Sequence, residues 1–280
     1  MQAEVEDPIV ENDQVRGVRY RTPGGQVEVR ALLTVGADGR TSREREAARL
    51  SLVETSRPMD VLWFRLSRRA DDDDVVGFRL SPGLFFVLIN RGTYWQVAYV
   101  IAKGVFDQVQ AAGLEAFRHA IGDGVPELAD RVGEIEEWDQ IKLLTVRADR
   151  LRRWYRPGVL CIGDAAHAMT PVGGVGINLA IQDAVEAANV LWQPLKQGKV
   201  RIADLARVQR RREIPTRLIQ AFQGLVQERV LRPTLAADRQ LGLPSIVRLG
   251  LRLPGVRELP ARLIALGVLR PHVRTPAIGL

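Results

Sequence analysis

A glycine-rich segment at residues 163–178 contains the residue types best suited to chemistry in this sequence. It follows a short apolar run and leads into an alanine-rich stretch with helical spacing. Asp164 stands where a strand would end, and a carboxylate there can accept hydrogen bonds from sugar-like hydroxyl groups. Glycines let the backbone approach a flat or anionic group closely, and a helix start offers N–H donors and a positive dipole end. The segment therefore predicts a cradle for a cofactor.

A second segment, at residues 36–45, has the form Asp-Gly-x-x-Ser-x-x-Arg and also follows a predicted strand. Asp38 can hold the polar edge of a ligand, and Gly39 permits a turn with positive φ. Ser42 is expected to cap a short helix, and Arg45 is expected to anchor the loop through charge-assisted hydrogen bonds. Asp-Gly alone indicates only a turn, so the functional interpretation of this segment depends on the first one.

Composition restricts the function classes that need to be considered. The chain has 280 residues, 46% of them hydrophobic, and a net charge of +7, which suits a globular protein of one large or two modest domains. The basic residues are spread along the chain without a nucleic-acid-binding motif. We therefore expect a solvated arginine-rich surface, and we expect no nucleic-acid partner. Membrane contact through the arginine-dotted tail is kept as a minor alternative.

The few cysteines and histidines argue against a metal or disulfide framework. Cys161 is the single cysteine, which excludes an internal disulfide and indicates core packing. Three histidines without ligand spacing predict no metal site, and His167 is interpreted as a structural member of its loop. The first residues do not resemble a signal peptide, and no apolar run reaches the ~18 residues of a membrane span, so a cytoplasmic location is expected.

Periodicity predicts two kinds of structure along the chain. Strands are expected at residues 15–20 and 26–35, joined by a turn at 22–25, and four more strands in an antiparallel sheet between 61 and 101. The acidic residues 71–74 are expected to form an exposed loop, and six aromatic residues near this sheet are interpreted first as core and second as pocket lining: Trp63, Phe78, Phe85, Phe86, Tyr94 and Trp95.

Helices are predicted mainly in the second half of the chain. The predicted ranges are 43–50, 106–119, 127–132, 180–191 and 202–231, with a strand at 141–146 and a tail of helical pattern at 241–269. Pro215 is expected to kink the long helix. These elements place the two glycine-containing segments at strand ends, where ligands commonly bind in α/β proteins.

The two segments resemble the DG and GD motifs of the FAD-dependent aromatic-hydroxylase-type monooxygenases, the p-hydroxybenzoate hydroxylase-like family. The run at residues 267–273 also resembles tails of these proteins. The resemblance implies an α/β (α+β) fold, with a Rossmann-like FAD-binding domain, an antiparallel-sheet substrate domain and C-terminal helices. Residues 1–56 and 147–280 would form the FAD-binding domain, and residues 57–146 the substrate domain.

The resemblance also implies roles for individual residues. Asp38 and Gly39 would contact the pyrophosphate–ribityl region of FAD, and Asp164 would bind the ribityl chain. Pro171 would lie beside the isoalloxazine ring. The residues expected along the edge of that ring are Gly173, Gly174, Val175, Gly176, Ile177 and Asn178. NAD(P)H and O2 would be cosubstrates for hydroxylation of a small aromatic or related organic substrate, and no catalytic side chain is singled out.

One departure from the family pattern concerns the ADP half of FAD. Family members begin with a strand, a Gly-x-Gly-x-x-Gly motif and a helix, and this sequence lacks that motif. The FAD-binding domain is therefore expected to be truncated at its amino end, with open edges on the strands near residues 29–35 and 159–162. A homodimer or a separate amino-terminal partner would cover them. The alternatives are a flavin-dependent reductase of the same superfamily and a cofactor-free remnant.

Overall fold

The structure is a computed structural model that describes residues 2–55, 59–73, 77–235 and 267–276. It divides into two compact units. Within the described residues, unit 1 comprises 2–55, 147–223 and 267–276, and unit 2 comprises 59–73, 77–146 and 224–235. The tail of helical pattern predicted at 241–269 lies outside the described residues up to 266.

The strands of the described chain are short and are distributed over both units. They are β1 Glu4–Glu11, β2 Gln14–Thr22, β3 Gly25–Arg30, β4 Thr34–Gly36, β5 Leu52–Thr55, β6 Met59–Ser67, β7 Gly77–Ser81, β8 Leu84–Asn90, β9 Tyr94–Ala102, β10 Lys142–Leu144, β11 Ala148–Leu151, β12 Tyr155–Arg156 and β13 Val159–Cys161.

The longest helices lie after the last strand. The α-helices are α1 Arg43–Ala47, α2 Phe106–Ala111, α3 Leu114–Gly124, α4 Gly176–Lys196, α5 Ile202–Val226 and α6 Arg232–Leu235. Shorter 3-10 helices span Pro126–Glu134, Trp138–Gln140, Gly163–Ala165 and Val172–Gly174, and a π-helical turn spans Gln227–Leu231.

Three small sheets form the β-structure described in unit 1. β1, β2 and β3 make an antiparallel meander, β5 pairs with β11, and β13 lies between β12 and β4. The pairing of β13 with β4 is parallel, with Gly36 opposite Cys161. The predicted strand at 26–35 is therefore wrong as a single element, because β3 pairs with β2 and β4 belongs to another sheet. The expectation of an open edge also fails for β13, which has a neighbour on each side.

Helices α4 and α5 cover the β13 sheet of unit 1 through apolar side chains. The shared core includes Leu160 and Ile162 from the sheet region, Ala187 and Val190 from α4, and Val208 from α5. Burying a side chain of this kind contributes about 1.5–3 kcal/mol relative to leaving it exposed. This packing fixes α4 against the strand that leads into the glycine-rich segment.

Unit 2 is built on a five-stranded antiparallel sheet with the order β10-β6-β9-β8-β7, which confirms the expected antiparallel sheet. One face packs against α3 and the 3-10 helix Pro126–Glu134, and its core includes Leu62, Phe64 and Phe117. Because side chains alternate along a strand, the neighbours of the core residues point to the other face. Phe86 and Trp95 belong to the core, as expected, whereas Phe78 is exposed.

Two local predictions in unit 2 require correction. The helix expected at 106–119 is two helices, since Gly113 adopts a φ of 91° between α2 and α3. In the predicted acidic loop, Asp71 and Asp73 are exposed, but Asp72 accepts two hydrogen bonds from the buried Arg131, at 2.6 and 2.7 Å. The Arg131 guanidinium, which donates both bonds, holds the pKa of Asp72 well below its usual range. Asp74 lies outside the described residues.

Within the described ranges, none of the helices combines the length and the apolar character that a bilayer crossing requires.

Candidate functional site

The two segments singled out by the sequence leave neighbouring parallel strands at the same edge of a sheet. Gly36 at the end of β4 lies opposite Cys161 at the end of β13, and the Ile162 N–H donates to the Gly36 carbonyl at 2.9 Å. The first loop follows β4 directly and the second follows β13. Carboxyl ends of parallel strands are where ligands bind in open α/β sheets, so the site is assembled by one strand pairing.

In the first loop, side chains hold the start of helix α1. The Asp38 carboxylate accepts hydrogen bonds from the N–H groups of Arg43 at 2.8 Å and Glu44 at 3.4 Å. Ser42 Oγ accepts from the Arg45 N–H at 3.1 Å, which confirms Ser42 as the N-cap. Gly39 adopts a φ of 86°, and a Cβ placed on it would meet no atom within 4 Å. Asp38 is thus oriented by the first N–H groups of α1, at the helix start that Ser42 caps.

Beneath this loop lies a small buried cluster around Gly36. A Cβ on Gly36 would lie 3.0 Å from Glu44 Cβ and 3.2 Å from Cys161 Sγ, so only glycine fits without movement. Cys161 is fully buried, as expected for a core residue, and burial raises the pKa of its thiol to about 12. Burial, followed by the charge of Asp38, also raises the pKa of Glu44. These groups support the loop from inside the unit.

The second loop brings Asp164 to the amino end of α4. A Cβ placed on Gly176 would lie 3.9 Å from Asp164 Oδ1. Gly163, just before it, adopts a φ of 58°, and its Cβ position lies 3.0 Å from Ala180 Cβ. The half-buried Asp164 therefore stands beside the helix start, and glycine at 163 and 176 lets the loop and helix approach each other.

Between Asp164 and α4 the chain makes a tight glycine turn. Pro171 precedes the 3-10 helix, and its carbonyl accepts from the Gly174 N–H at 3.0 Å. Gly173 and Gly174 have φ values of 78° and 63°, which L side chains rarely adopt. A Cβ on Gly174 would meet nothing within 4 Å. The surface of the turn at Gly173 and Gly174 is therefore formed by backbone atoms, and the space beside Gly174 is open.

The start of α4 lacks a side-chain cap. The N-cap position is Val175, whose side chain cannot accept a hydrogen bond and is buried against Leu179. Ile177 is 69% exposed, while Asn178 and Gly176 are half-buried. The first N–H groups of a helix have no intrahelical acceptor and carry the positive end of the dipole, so this end favours an anionic or electron-rich group.

A buried ionic cluster ties the second loop to α4 and α5. Asp183 accepts hydrogen bonds from the Gly163 N–H at 3.0 Å and from Arg212 Nε at 2.8 Å, and lies 2.6 Å from His167 Nε2. Burial acts to raise the pKa of Asp183, but the charge and hydrogen bond of His167, together with Arg212, outweigh it and keep that pKa below its usual value. His167 is inside the loop scaffold, in agreement with its structural interpretation.

Two glutamines of α5 hold the rest of the loop by its backbone. Gln223 Nε2 donates to the carbonyls of Thr170 at 3.0 Å and Val172 at 2.8 Å. Gln220 Nε2 donates to the carbonyl of Ala168 in the loop at 3.4 Å and to the carbonyl of Asp149 on β11 at 2.9 Å. Sequence reasoning missed both. The available signal is the polar spacing along α5, where the buried polar positions are Gln209, Arg212, Thr216, Gln220 and Gln223.

Asp149 on β11 is a further residue that sequence reasoning missed. Its carboxylate lies 3.3 and 3.4 Å from Arg45 Nη1 and accepts from the Ala168 N–H at 3.3 Å. Arg45 also donates to the Arg40 carbonyl. The prediction that Arg45 anchors its loop is thereby confirmed, and its partner lies 104 positions away in the chain.

The residues present fit the flavin end of FAD. The half-buried Asp164 carboxylate can accept hydrogen bonds from ribityl hydroxyls, and the uncapped α4 start can donate toward the electron-rich edge of the ring. The open Cβ positions at Gly39 and Gly174 leave room for close backbone approach. The two loops thus combine an acid that can accept hydrogen bonds from hydroxyl groups, small residues and a positive helix end at one sheet edge.

Known proteins share both the sequence and the fold. A family model described as an FAD binding domain matches residues 1–221. The 6-methylpretetramide 4-monooxygenase of Streptomyces rimosus is 32% identical over 261 residues, covering 91% of this chain and 61% of that relative. PqsL of Pseudomonas aeruginosa, a probable FAD-dependent monooxygenase, has a TM-score of 0.67 at 20% identity, covering 84% of this chain and 65% of PqsL.

The fold is also shared with the flavin-dependent brominase Bmp2, at a TM-score of 0.69 and 15% identity over 94% of this chain and 64% of Bmp2. The chain spans only about six tenths of the length of the first curated relatives that it matches. The matched family model covers most of the chain and contains both loops. The chain therefore belongs to the FAD binding domain family, that of the FAD-dependent aromatic-hydroxylase-type monooxygenases.

Proposed function

We propose that this chain forms the part of an FAD-dependent monooxygenase that holds the flavin and the substrate, and that the enzyme hydroxylates an aromatic organic compound with NAD(P)H and O2 as cosubstrates. The observation that supports this most is the position of the two loops at the ends of the paired strands β4 and β13. The name of the Streptomyces relative, a monooxygenase of 6-methylpretetramide, suggests the class of substrate. Unit 1 would bind FAD and unit 2 the substrate.

The protein would position the flavin and shield it from water, and the bound FAD would supply the redox chemistry. Asp164 would accept hydrogen bonds from the ribityl hydroxyls, while Asp38 and Gly39 would contact the pyrophosphate–ribityl region. Residues 173–178 would offer backbone N–H groups to the ring, and Pro171 would limit the space beside it. Preorganised donors of this kind stabilise developing negative charge without reorganisation.

The sheet face of unit 2 opposite its core supplies a surface for an aromatic substrate. Phe78 and Phe85 stack there with ring centroids 6.0 Å apart and an interplanar angle of 22°. Trp63 is half-buried and paired with Ala98 in the neighbouring strand. Phe78 is 62% exposed, so its ring is accessible to a ligand on this face. We propose this face as the substrate side.

An FAD titration of the full chain tests the proposal. Replacing Asp164 with alanine removes the proposed acceptor for the ribityl hydroxyls, and we expect FAD affinity to fall roughly tenfold to a hundredfold, as for the loss of a charged hydrogen bond. Asp204→Asn is the control, since Asp204 caps the start of α5 away from both loops. Flavin fluorescence quenching measures the affinity. Equal affinity in Asp164→Ala and the unmodified chain would contradict the assignment.

We further propose that a strand–helix unit covers the open flank of unit 1. Among the described residues β4 has no strand on its outer side, and Val35 is 46% exposed. On α4, Ile177 and Ile181 are exposed with Ala184 and Ala188 on one stripe, opposite the flank that contacts α5. An open parallel edge beside an apolar helix stripe suits a strand followed by a helix, whichever polypeptide carries it.

Mixing experiments test this surface. The partner is the portion of the Streptomyces relative that this chain does not match, and light scattering measures complex formation. We expect a one-to-one complex with tighter FAD binding than the chain alone. Ile181→Lys should abolish it, whereas Leu143→Lys, an exposed leucine of unit 2, should not. Complex formation that is insensitive to Ile181→Lys would place the contact elsewhere.

A further inference from the structure

We propose that Asp149 is a positioning residue that couples the first loop, which follows β4, to the second loop, which follows β13. Ordering of either loop would then order the other. The ligand of these loops rests on the proposed function, whereas the coupling itself rests only on the contacts of the protein. Asp149 belongs to neither glycine-containing segment and is supplied by β11. It touches both segments through separate groups.

The contacts of Asp149 with the second loop involve both its backbone and its side chain. The Asp149 N–H donates to the Ala168 carbonyl at 3.2 Å, and the Ala168 N–H donates back to Asp149 Oδ1 at 3.3 Å. Ala168 is therefore held on both of its backbone groups by a single residue. Gln220 Nε2 reinforces the pair by donating to the Asp149 carbonyl at 2.9 Å. The middle of the second loop is thus fixed to β11.

The contact of Asp149 with the first loop is a buried ion pair. Arg45 Nη1 lies 3.3 and 3.4 Å from the two carboxylate oxygens, and the side chains are 10% and 6% exposed. Arg45 also donates to the Arg40 carbonyl, and its N–H is bound by Ser42 Oγ. The same guanidinium therefore joins the middle of the first loop to Asp149.

This arrangement makes the two loops interdependent. The hydrogen bonds between β4 and β13 reach only as far as Gly36 and Ile162, and Asp149 joins points farther along each loop. Removing one member of a buried ion pair leaves an uncompensated charge, so loosening of the first loop at Arg45 also weakens the grip on Ala168. Residues in one network show non-additive effects, and such coupling is reciprocal.

Native-state hydrogen exchange of the chain without FAD tests the coupling. Asp149→Asn keeps an acceptor for Ala168 but loses the charge, and Arg45→Gln removes its partner. We expect each variant to speed exchange of amides in both loops, at 39–43 and 166–172, by about tenfold. The double variant should be no faster than the worse single variant. Arg45→Lys, which keeps the charge, should restore most of the protection in both loops.

Arg156→Gln is the matched control. Arg156 Nη1 donates to the Ala48 carbonyl at 3.0 Å, so it holds the far end of α1 without contact to Asp149. Arg156 Nη2 also lies 3.2 Å from Asp13 Oδ1, so we expect this variant to speed exchange near residues 47–50 and near Asp13, and in neither loop. A purely structural role for Asp149 would instead raise exchange across the whole of unit 1, or give effects of the two single variants that multiply in the double variant. Either result overturns the proposal.

Adding FAD separates this inference from the proposed function. In the unmodified chain FAD should slow exchange in both loops, and in Arg45→Gln saturating FAD should leave both loops exchanging faster than in the FAD-saturated unmodified chain. If FAD protects neither loop of the unmodified chain, the proposed function fails, while the exchange rates without FAD still decide the coupling. If saturating FAD protects the second loop of Arg45→Gln as fully as that of the unmodified chain, the coupling is refuted and FAD binding stands.

Discussion

Replacing Arg212 with alanine is expected to lower the free energy of unfolding by about 3–5 kcal/mol. The Arg212 and Asp183 side chains are 1% and 0% exposed, so the substitution leaves a buried carboxylate with His167 alone as its ionic partner in the cluster. Arg211→Ala is the matched control, since this neighbour is half-exposed where it meets Glu186. Because Glu186 is only 8% exposed, we expect this loss to cost more than the about 0–1 kcal/mol of a fully exposed pair, but less than the loss of the fully buried Arg212. Urea unfolding monitored in unit 1 measures both.

Acid dependence gives a second signature of the same cluster. The pKa of Asp183 is lowered in the folded protein, so its stabilisation is present above the pKa of an unfolded aspartate and is lost as pH falls through the folded value. Arg212→Ala should weaken that acid-side loss of stability, and Arg211→Ala should preserve it. Equal unfolding free energies for the two alanine variants at neutral pH would show that the cluster does not stabilise unit 1.

Replacing Gly158 with alanine is expected to cost about 3 kcal/mol or more, because strain and overlap add at this position. Gly158 has a φ of 78°, and a Cβ on it would overlap the Val15 carbonyl oxygen. Its own carbonyl accepts from the Thr34 N–H at 2.8 Å, which aligns β4 with β13. The substitution should therefore disturb the strand pairing that brings the two loops together, and FAD affinity should fall with stability.

Gly198→Ala is the control for the backbone conformation alone. Gly198 has a φ of 66°, but a Cβ there would meet nothing within 4 Å. We expect a cost of about 1–2 kcal/mol and an unchanged FAD affinity, measured by thermal unfolding and flavin fluorescence. If Gly158→Ala costs no more than Gly198→Ala, the Val15 carbonyl moves aside easily, and the register of β4 and β13 does not depend on this glycine.

The parts of the site that could be predicted from the sequence are local. Glycines at 173 and 174 and the cap at Ser42 each act through their own or nearby backbone, so their spacing carries the information. The loop containing Asp38 is predictable for the same reason, and the role of Asp164 stays a prediction. The family match covers both segments and supports the resemblance on which their interpretation depended.

The parts that could not be predicted depend on contacts between distant segments. Asp149 is 104 positions from Arg45, and a single sequence gives no indication of that pairing. A single strand is predicted at 26–35 because its residues favour strands throughout. In the structure the strand breaks after Arg30, because β2 pairs with the first part of this range and β13 pairs with the last part. Tertiary pairing overrides local propensity in such cases.

Helix α5 buries polar side chains beside apolar ones. Val208 and Ile219 pack in the core of unit 1, and glutamines of the same helix face inward and bind loop carbonyls, whereas Ile214 and Leu218 face solvent. A mutational scan of this helix should therefore accept charged replacements at Ile214 and Leu218 and reject them at Gln220 and Gln223. Design methods that replace buried polar residues with apolar ones would change those two glutamines and would thereby remove the hydrogen bonds that hold the loop.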